Sequence, residues 1–364
     1  MTSALAARRR KAASSGYGVA LLSGAGWGVS NIVNGLALAM APFALSARWL
    51  LAPLVAATLY EGLRAVWQVA YVGATRRWRD LSPVVRCRRG SLYAAAAALA
   101  GGPWATGFFF LSIALAGVTY GVTISATAPA FGALWGAVFL RDRIGPRGWA
   151  GVLLSVAGAA VVAYHPPEGA PPHFYLGVLC AVLTALGWSF EALCAQRAMG
   201  HLTPTAVATV RQVLSFVVLA AVLVPLLGGA GLFVEAVASP SALVLFAAAL
   251  AGAASYQLYF VAVHLVGLAR AMPLNLTYVL WTALLGVVFL SEPPTWQLGV
   301  GAVAIVAGAS LVVRSGRLPE EAAVVAGPAP LEVPVTEPHR AVPVAEPRPE
   351  AAAEPGAARD GGGS

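Results

Sequence analysis

The chain has 364 residues, 59% of them hydrophobic and only 10% charged, with a mean hydropathy of +0.77 and a net charge of +8. About a quarter of a soluble domain's residues are charged, so this chain cannot cover itself with a water-facing surface, and a soluble domain is excluded. Three cysteines, Cys87, Cys180 and Cys194, show no CxxC spacing and form neither a disulfide framework nor a metal site.

A helix needs about 20 apolar residues to cross a bilayer, and ten such segments are predicted. The first, Tyr17–Leu38, follows the basic stretch Arg8-Arg9-Arg10-Lys11 and is too long for the core of a cleavable signal peptide. Next come Phe43–Leu63, Leu92–Ile113 with an internal Gly101-Gly102-Pro103, Thr119–Leu140, and the short Trp149–Tyr164. A second set follows: Phe174–Ala195, Thr205–Leu226, Ala242–Val263, Ala271–Leu290 and the short Leu298–Val313. Beyond Val313 the composition turns rich in Pro, Ala and Glu without aromatics, and residues 315–364 read as a disordered tail. Residues 1–314 carry 19 basic and 7 acidic side chains, or +12, and the tail carries 4 and 8, or −4.

The two sets of five are copies. Gly132–Val162 aligns without gaps to Thr282–Val312, with 12 identities in 31 positions, and the register extends back to Phe108/Leu258. Long repeats of apolar helices are a common build for transporters. An odd number of spans per copy inverts the second copy in the membrane, and the arginines agree. Arg141, Arg143 and Arg147 after the fourth span become Ser291, Pro293 and Gln297 after the ninth. The Arg-rich loop after the second span becomes Leu226–Ser241, without a basic residue. Since basic loops stay in the cytoplasm, both termini are expected there, in the cell inner (plasma) membrane. The +8 is thus a topology signature with an acidic tail subtracted, and nucleic acid is not an expected partner.

Phe139-Leu140-Arg141-Asp142 with Gly151 and Val156-Ala157-Gly158 resembles the end of an EamA-type domain of the drug/metabolite transporter (DMT) superfamily. Phe289-Leu290-Ser291-Glu292 with Gly301 and Val306-Ala307-Gly308 is closer still to the family's Phe-Leu-x-Glu form, and Ala114-Leu115 with Ile124–Pro129 resembles the third and fourth helices. Gly26–Asn31 and Gly187-Trp188-Ser189 resemble the opening helices. Asp142 departs from the usual Glu, and Pro129 has no counterpart at Val279. The resemblance covers Tyr17 to Val313 and implies ten helices, the first four of each copy lining a central cavity and helices 5 and 10 packing outside. The expected organisation is an all-α polytopic membrane protein: a basic N-terminus (1–16), a five-helix repeat (17–164), an external linker (165–173), an inverted five-helix repeat (174–314) and the tail (315–364).

Ionisable residues inside a membrane are costly and point to function. Glu191 and Arg211 fall at similar depths on antiparallel helices, which allows either a structural salt bridge or a role with substrate or protons. Arg48 is placed just inside the outer boundary near Asn31 and Asn34, and snorkelling to the headgroups is the competing reading. Glu61 and Arg64 share a helix face and are assigned to an interfacial pair near the cytoplasmic edge. Trp27 and Trp188 repeat at mid-membrane depth, either as core packers or as a site. Tyr120, Thr123, Tyr256, Gln257, Asn275, Thr277 and Tyr278 supply hydrogen-bonding groups for interhelical bonds or for a cavity that suits a small amphipathic molecule. His264 is expected to meet solvent at the cytoplasmic end.

The sequence has no HExxH, GxSxG or P-loop, so neither an enzyme nor an ATP-driven pump is expected, and no cofactor or metal. A secondary transporter of small organic metabolites or toxic compounds is expected, working in efflux by alternating access, with protons as the candidate coupling ion and a homodimer as the candidate assembly. An importer, or a non-transporting lipid-handling enzyme or assembly partner on the same scaffold, stays open.

Overall fold

A computed structural model describes residues 2–44, 49–135, 138–139, 145–163, 172–266, 274–291 and 294–315. The candidate Arg48, the loop residues Arg141, Asp142, Arg143 and Glu292, most of the linker and residues 316–364 lie outside the described residues. Each predicted segment contains helix: α1 (Thr2–Leu38), α2 (Leu51–Ala74), α3 (Arg88–Ala116), α4 (Val118–Ser125 and Ala128–Trp135), α5 (Pro146–Ala163), α6 (Phe174–Met199), α7 (Pro204–Leu226), α8 (Pro240–Val266), α9 (Tyr278–Phe289) and α10 (Trp296–Ser315). Among the described residues, four stretches are long and apolar enough to cross a membrane by length and composition alone: α3, α6, α7 and Pro240–Tyr259 of α8. Burial is inverted relative to a soluble protein. Leu22, Val66, Leu153, Leu243 and Val288 are exposed, whereas Ser23, Ser30, Asn34, Thr58 and Glu61 are buried.

Several boundaries differ from the sequence reading. The second span starts at Leu51 rather than Phe43 and runs eleven residues past Leu63, to Ala74. Pro53 then falls in the first turn, where a missing N–H removes no helical hydrogen bond. The fourth span breaks at Ala126-Thr127 and restarts with Pro129 in its first turn. In α3 the Gly-Gly-Pro stretch does not interrupt the helix but widens it into a π-helical turn over Ala100–Thr106. Pro103 has no N–H to donate, and a π turn accommodates its ring. The α3–α4 connection is the single residue Gly117 at φ 91°, a conformation that favours glycine. Two short helices occupy the Arg-rich loop (Arg77–Leu81 and Ser82–Arg86), and Ala230–Val237 forms another before α8.

The arrangement of the halves follows from α5 and α10, which pack on each other. A Cβ on Gly158 would stand 2.9 Å from the Gly301 carbonyl oxygen, and one on Gly308 would stand 2.6 Å from that of Gly151. Between them Ser155 Oγ donates to Ile305 O at 3.5 Å. In the repeat register Gly151 matches Gly301, Ser155 matches Ile305 and Gly158 matches Gly308. Each contact therefore has its copy, and the Ser155–Ile305 contact is its own copy. Only a twofold axis between antiparallel helices does this, so the repeats are inverted. Other pairings obey the same axis: α1 packs on α8 as α6 packs on α3, and α2 meets α7.

Candidate functional site

Where α2 meets α7, the helices bring four charged side chains together. Thr203 caps α7 by accepting from the Ala206 N–H at 3.2 Å, and Pro204 occupies its first turn. That start fixes Arg211 about 10 Å along the helix at 1.5 Å per residue. Arg211 Nε donates to Glu191 Oε1 of α6 at 2.8 Å, and its Nη1 donates to Glu61 Oε1 and Oε2 of α2 at 2.9 and 2.6 Å. Its Nη2 donates to the Gly101 carbonyl at 3.1 Å, inside the π turn of α3. A Cβ at Gly101 would collide with the Glu191 carboxylate, so only glycine lets α3 come this close.

The expected Glu191–Arg211 pair is thus present, but it is half of a larger network. Glu61 is fully buried and also accepts from Thr106 Oγ1 at 2.9 Å and Arg64 Nη1 at 3.3 Å. Glu61 and Arg64, read from the sequence as an interfacial pair, are instead buried members of this network. With α2 running from Leu51 to Ala74, Glu61 lies ten residues from one end and thirteen from the other. Two guanidinium and two carboxylate groups balance to zero, which is how buried charge is tolerated in a low-dielectric setting.

The network borders a cavity of about 290 Å³ to which α1–α4 and α6–α8 contribute, together with the start of α9 and the turn before it. Trp27, Asn31 and Tyr60 line it from α1 and α2, Thr106 and Phe109 from α3, and Val122, Ser125 and Pro129 from α4. Trp188, Glu191 and Arg211 come from the second copy, as do Tyr256, Tyr259, Asn275 and Tyr278. Among the described residues, α5 and α10 contribute none to the wall, in line with what the resemblance implies. Trp27 meets Tyr256 edge-on at 6.4 Å between ring centroids, and Trp188 meets Phe109 at 5.0 Å. Asn31 Nδ2 donates to Thr282 Oγ1 at 3.2 Å, and Asn275 Oδ1 accepts from Ser23 Oγ at 2.8 Å. Arg64 lies 5.5–5.9 Å from the centroids of Tyr60, Trp27 and Tyr256, within cation–π range.

Other expected residues are elsewhere. Tyr120 packs against Phe174 at 5.2 Å and its hydroxyl meets Thr295 Oγ1 at 3.2 Å, away from the cavity. The wall of α4 is Val122, Ser125 and Pro129, spaced i, i+3, i+7, and a residue two before Val122 points away from that face. Gln257 is half-buried and is not part of the wall, because Tyr256 and Tyr259 define the inward face of α8. Thr123 is buried but does not reach the cavity, and Thr277 Oγ1 bonds back to Leu274 O at 2.6 Å. The side chain of His264 lies outside the described residues. Among the described residues, no group of His, Cys, Asp and Glu could hold a metal ion.

The network and cavity residues missed by sequence reasoning include Glu61, Arg64, Tyr60, Thr106, Phe109 and Tyr259. For the first three, the signal was Pro53: taken as a first-turn proline, it moves the helix start and places them at mid-helix.

Among characterised proteins, LicB of Haemophilus influenzae is 25% identical over 193 residues, covering 53% of this chain and 65% of that protein, so the chain spans slightly less than two thirds of that relative. A solved structure described only as a crystal structure of a protein superposes with a TM-score of 0.47 at 19% identity, covering 82% of this chain and 96% of that one. The model of the EamA-like transporter family matches residues 14–164 and again 175–314. With two such domains accounting for most of its length, this multi-pass membrane protein belongs to the EamA-like transporter family of the DMT superfamily.

Proposed function

We propose that the chain is a secondary transporter that exports small organic metabolites or toxic compounds by alternating access of its two inverted repeats. The observation that carries this is the central cavity. It draws side chains from four helical segments of each repeat and holds an ion network that joins them. A site built across two inverted halves is what a rocking motion would expose first to one side and then to the other. The sequence supplies no nucleotide-binding motif, which leaves an ion gradient or passive movement; the proposal is coupling to protons, with Glu191 as the proton-handling group. It lines the cavity and retains 15% side-chain exposure. The proposed topology puts both termini in the cytoplasm, on the basis of the arginine bias. The cavity then extends to Ala192, which is exposed, and Ala195 near the cytoplasmic end of α6, the loading side for export. The proposed division is the two repeats, 17–164 and 174–314, with the tail outside the transport unit.

Purified protein in proteoliposomes, tested with a panel of small solutes under an imposed pH gradient, decides the matter. Gradient-dependent movement of at least one solute is expected, diminished in Glu191→Gln. If no solute crosses faster than in empty liposomes, the transport reading is lost.

A further inference from the structure

We infer that Arg64 is the recognition point for an anionic substrate, a small organic monocarboxylate with a flat apolar body. This rests on the transport reading and names the ligand class of that same cavity. The buried charges form an alternating chain, Arg64–Glu61–Arg211–Glu191, with links of 3.3, 2.6 and 2.8 Å. Its inner members are well supplied. Glu61 accepts from two arginines and Thr106, and Arg211 donates to both carboxylates and to the Gly101 carbonyl.

The two ends of the chain differ. Glu191 keeps enough exposure for water to reach its carboxylate. The Arg64 side chain is only 5% exposed, and its one hydrogen bond is the long one, to an oxygen already shared with Arg211 and Thr106. Its Nε is buried without a hydrogen-bond partner, although Arg64 lines the cavity.

The rings of Trp27, Tyr60 and Tyr256 attract the charge of Arg64, but their π faces are weak substitutes for oxygen lone pairs in the guanidinium plane. A carboxylate supplies that missing acceptor with the matching planar geometry. A second negative charge would meet Glu61 and Glu191, so a monoanion fits better than a dianion. A cationic ligand is disfavoured at the other end, because Arg211 already holds Glu191 at 2.8 Å and would repel it. The rest of the ligand faces Trp27, Phe109, Trp188, Tyr259 and Tyr278. The cavity's 290 Å³ is room for on the order of ten water-sized groups at about 30 Å³ each.

The test uses the full chain in detergent and calorimetric titration with three probes of one shape: benzoate, benzamide and benzylammonium. Benzoate is expected to bind about tenfold or more tightly than either of the others. Arg64→Gln should erase that preference, bringing benzoate down to the affinity of the neutral probe. Where Arg64→Gln yields no folded protein, Arg64→Lys keeps the charge and loses the planar donor set, and should weaken benzoate about tenfold. Equal binding of all three probes, or binding of none, overturns the assignment. So does tightest binding of benzylammonium that is lost in Glu191→Gln. If the anion assignment fails while any solute still crosses proteoliposomes, the transport reading stands. If nothing crosses, that reading falls by itself.

Discussion

The twofold axis passes through two helix contacts that could hardly differ more. At α5–α10 the contact is glycine against glycine backbone, each half contributes matching glycines, and no charged residue takes part among the described contacts. At α2–α7 it is a polar seam. Glu61 meets Arg211, Gln68 Nε2 donates to Thr209 Oγ1 at 3.2 Å, and Arg77 Nη1 donates to Thr205 Oγ1 at 3.3 Å. The seam is also asymmetric, since one half supplies Glu61 and Arg64 and the other Glu191 and Arg211. Close backbone packing without charge is a geometry that tolerates little displacement, because shifting it opens voids or creates clashes. A seam held by long side chains that end in a cavity can exchange partners. Under the proposed alternating access, α5–α10 would serve as the fixed pivot of the halves, and α2–α7 as the place where ligand and halves communicate.

The largest expected effect tests the charged contact. Arg211→Gln removes the guanidinium that holds both carboxylates and leaves Glu61 with Arg64 and the Thr106 hydroxyl. Breaking a buried pair in this way costs about 3–5 kcal/mol, read as loss of folded yield and a lower unfolding temperature in detergent. Glu61→Gln should cost more than Glu191→Gln, since Glu61 is fully buried and Glu191 is partly exposed. Neutralising Glu191 and Arg211 together should recover only part of the loss, because Glu61 keeps its charge. Full recovery would mean that Glu61 contributes little and that the pair, not the network, is the energetic unit. An unfolding temperature for Arg211→Gln equal to wild type would remove the structural role altogether.

What the sequence disclosed of these two contacts follows from how far each signal reaches. The glycines of α5 and α10 lie in the stretch where the repeat is strongest, so the register aligns Gly151 with Gly301 and Gly158 with Gly308 directly. Glu191 and Arg211 were found by depth arithmetic because their helix starts are sharply marked, Arg211's by Thr203-Pro204. Glu61 was misplaced because α2 has no such mark. Its apolar run extends upstream to Phe43, and an eight-residue error in the start moves a mid-helix carboxylate to the membrane edge. Which face of a helix looks inward was harder still. Tyr120 and Tyr256 have equal claims as aromatic hydroxyls in apolar helices, and only packing distinguishes the one that sits against Phe174 of α6 from the one in the cavity.

A smaller effect is expected at the apolar contact, and it tests the symmetry itself. Gly158→Ala and Gly308→Ala each force a Cβ into backbone of the facing helix. Overpacking of this kind costs about 1–3 kcal/mol. As the two positions are copies related by the axis, both variants should lower the unfolding temperature, with Gly308→Ala lower because its Cβ would stand closer, 2.6 against 2.9 Å. Ligand affinity should not change in either, since α5 and α10 do not line the cavity. A loss confined to one position would contradict the inverted arrangement. Altered affinity without altered stability would mean that the pivot is not separate from the site.

The smallest effect concerns Tyr120, which looks like a site residue by type and belongs to the packed side by position. Its ring sits in a cluster with Phe174 of α6, Val162 of α5 and Leu298 of α10. Tyr120→Phe keeps the ring and removes the hydroxyl that meets Thr295. A net hydrogen bond contributes about 0.5–1.5 kcal/mol, so the unfolding temperature should fall slightly and transport should stay at the wild-type rate. Tyr256→Phe is the matched control, since that hydroxyl belongs to a residue of the cavity wall beside Arg64. It should alter apparent substrate affinity by more than it alters stability. If Tyr120→Phe slows transport as much as Tyr256→Phe does, the boundary between cavity and packed side lies elsewhere, and α4 turns a different face to the substrate.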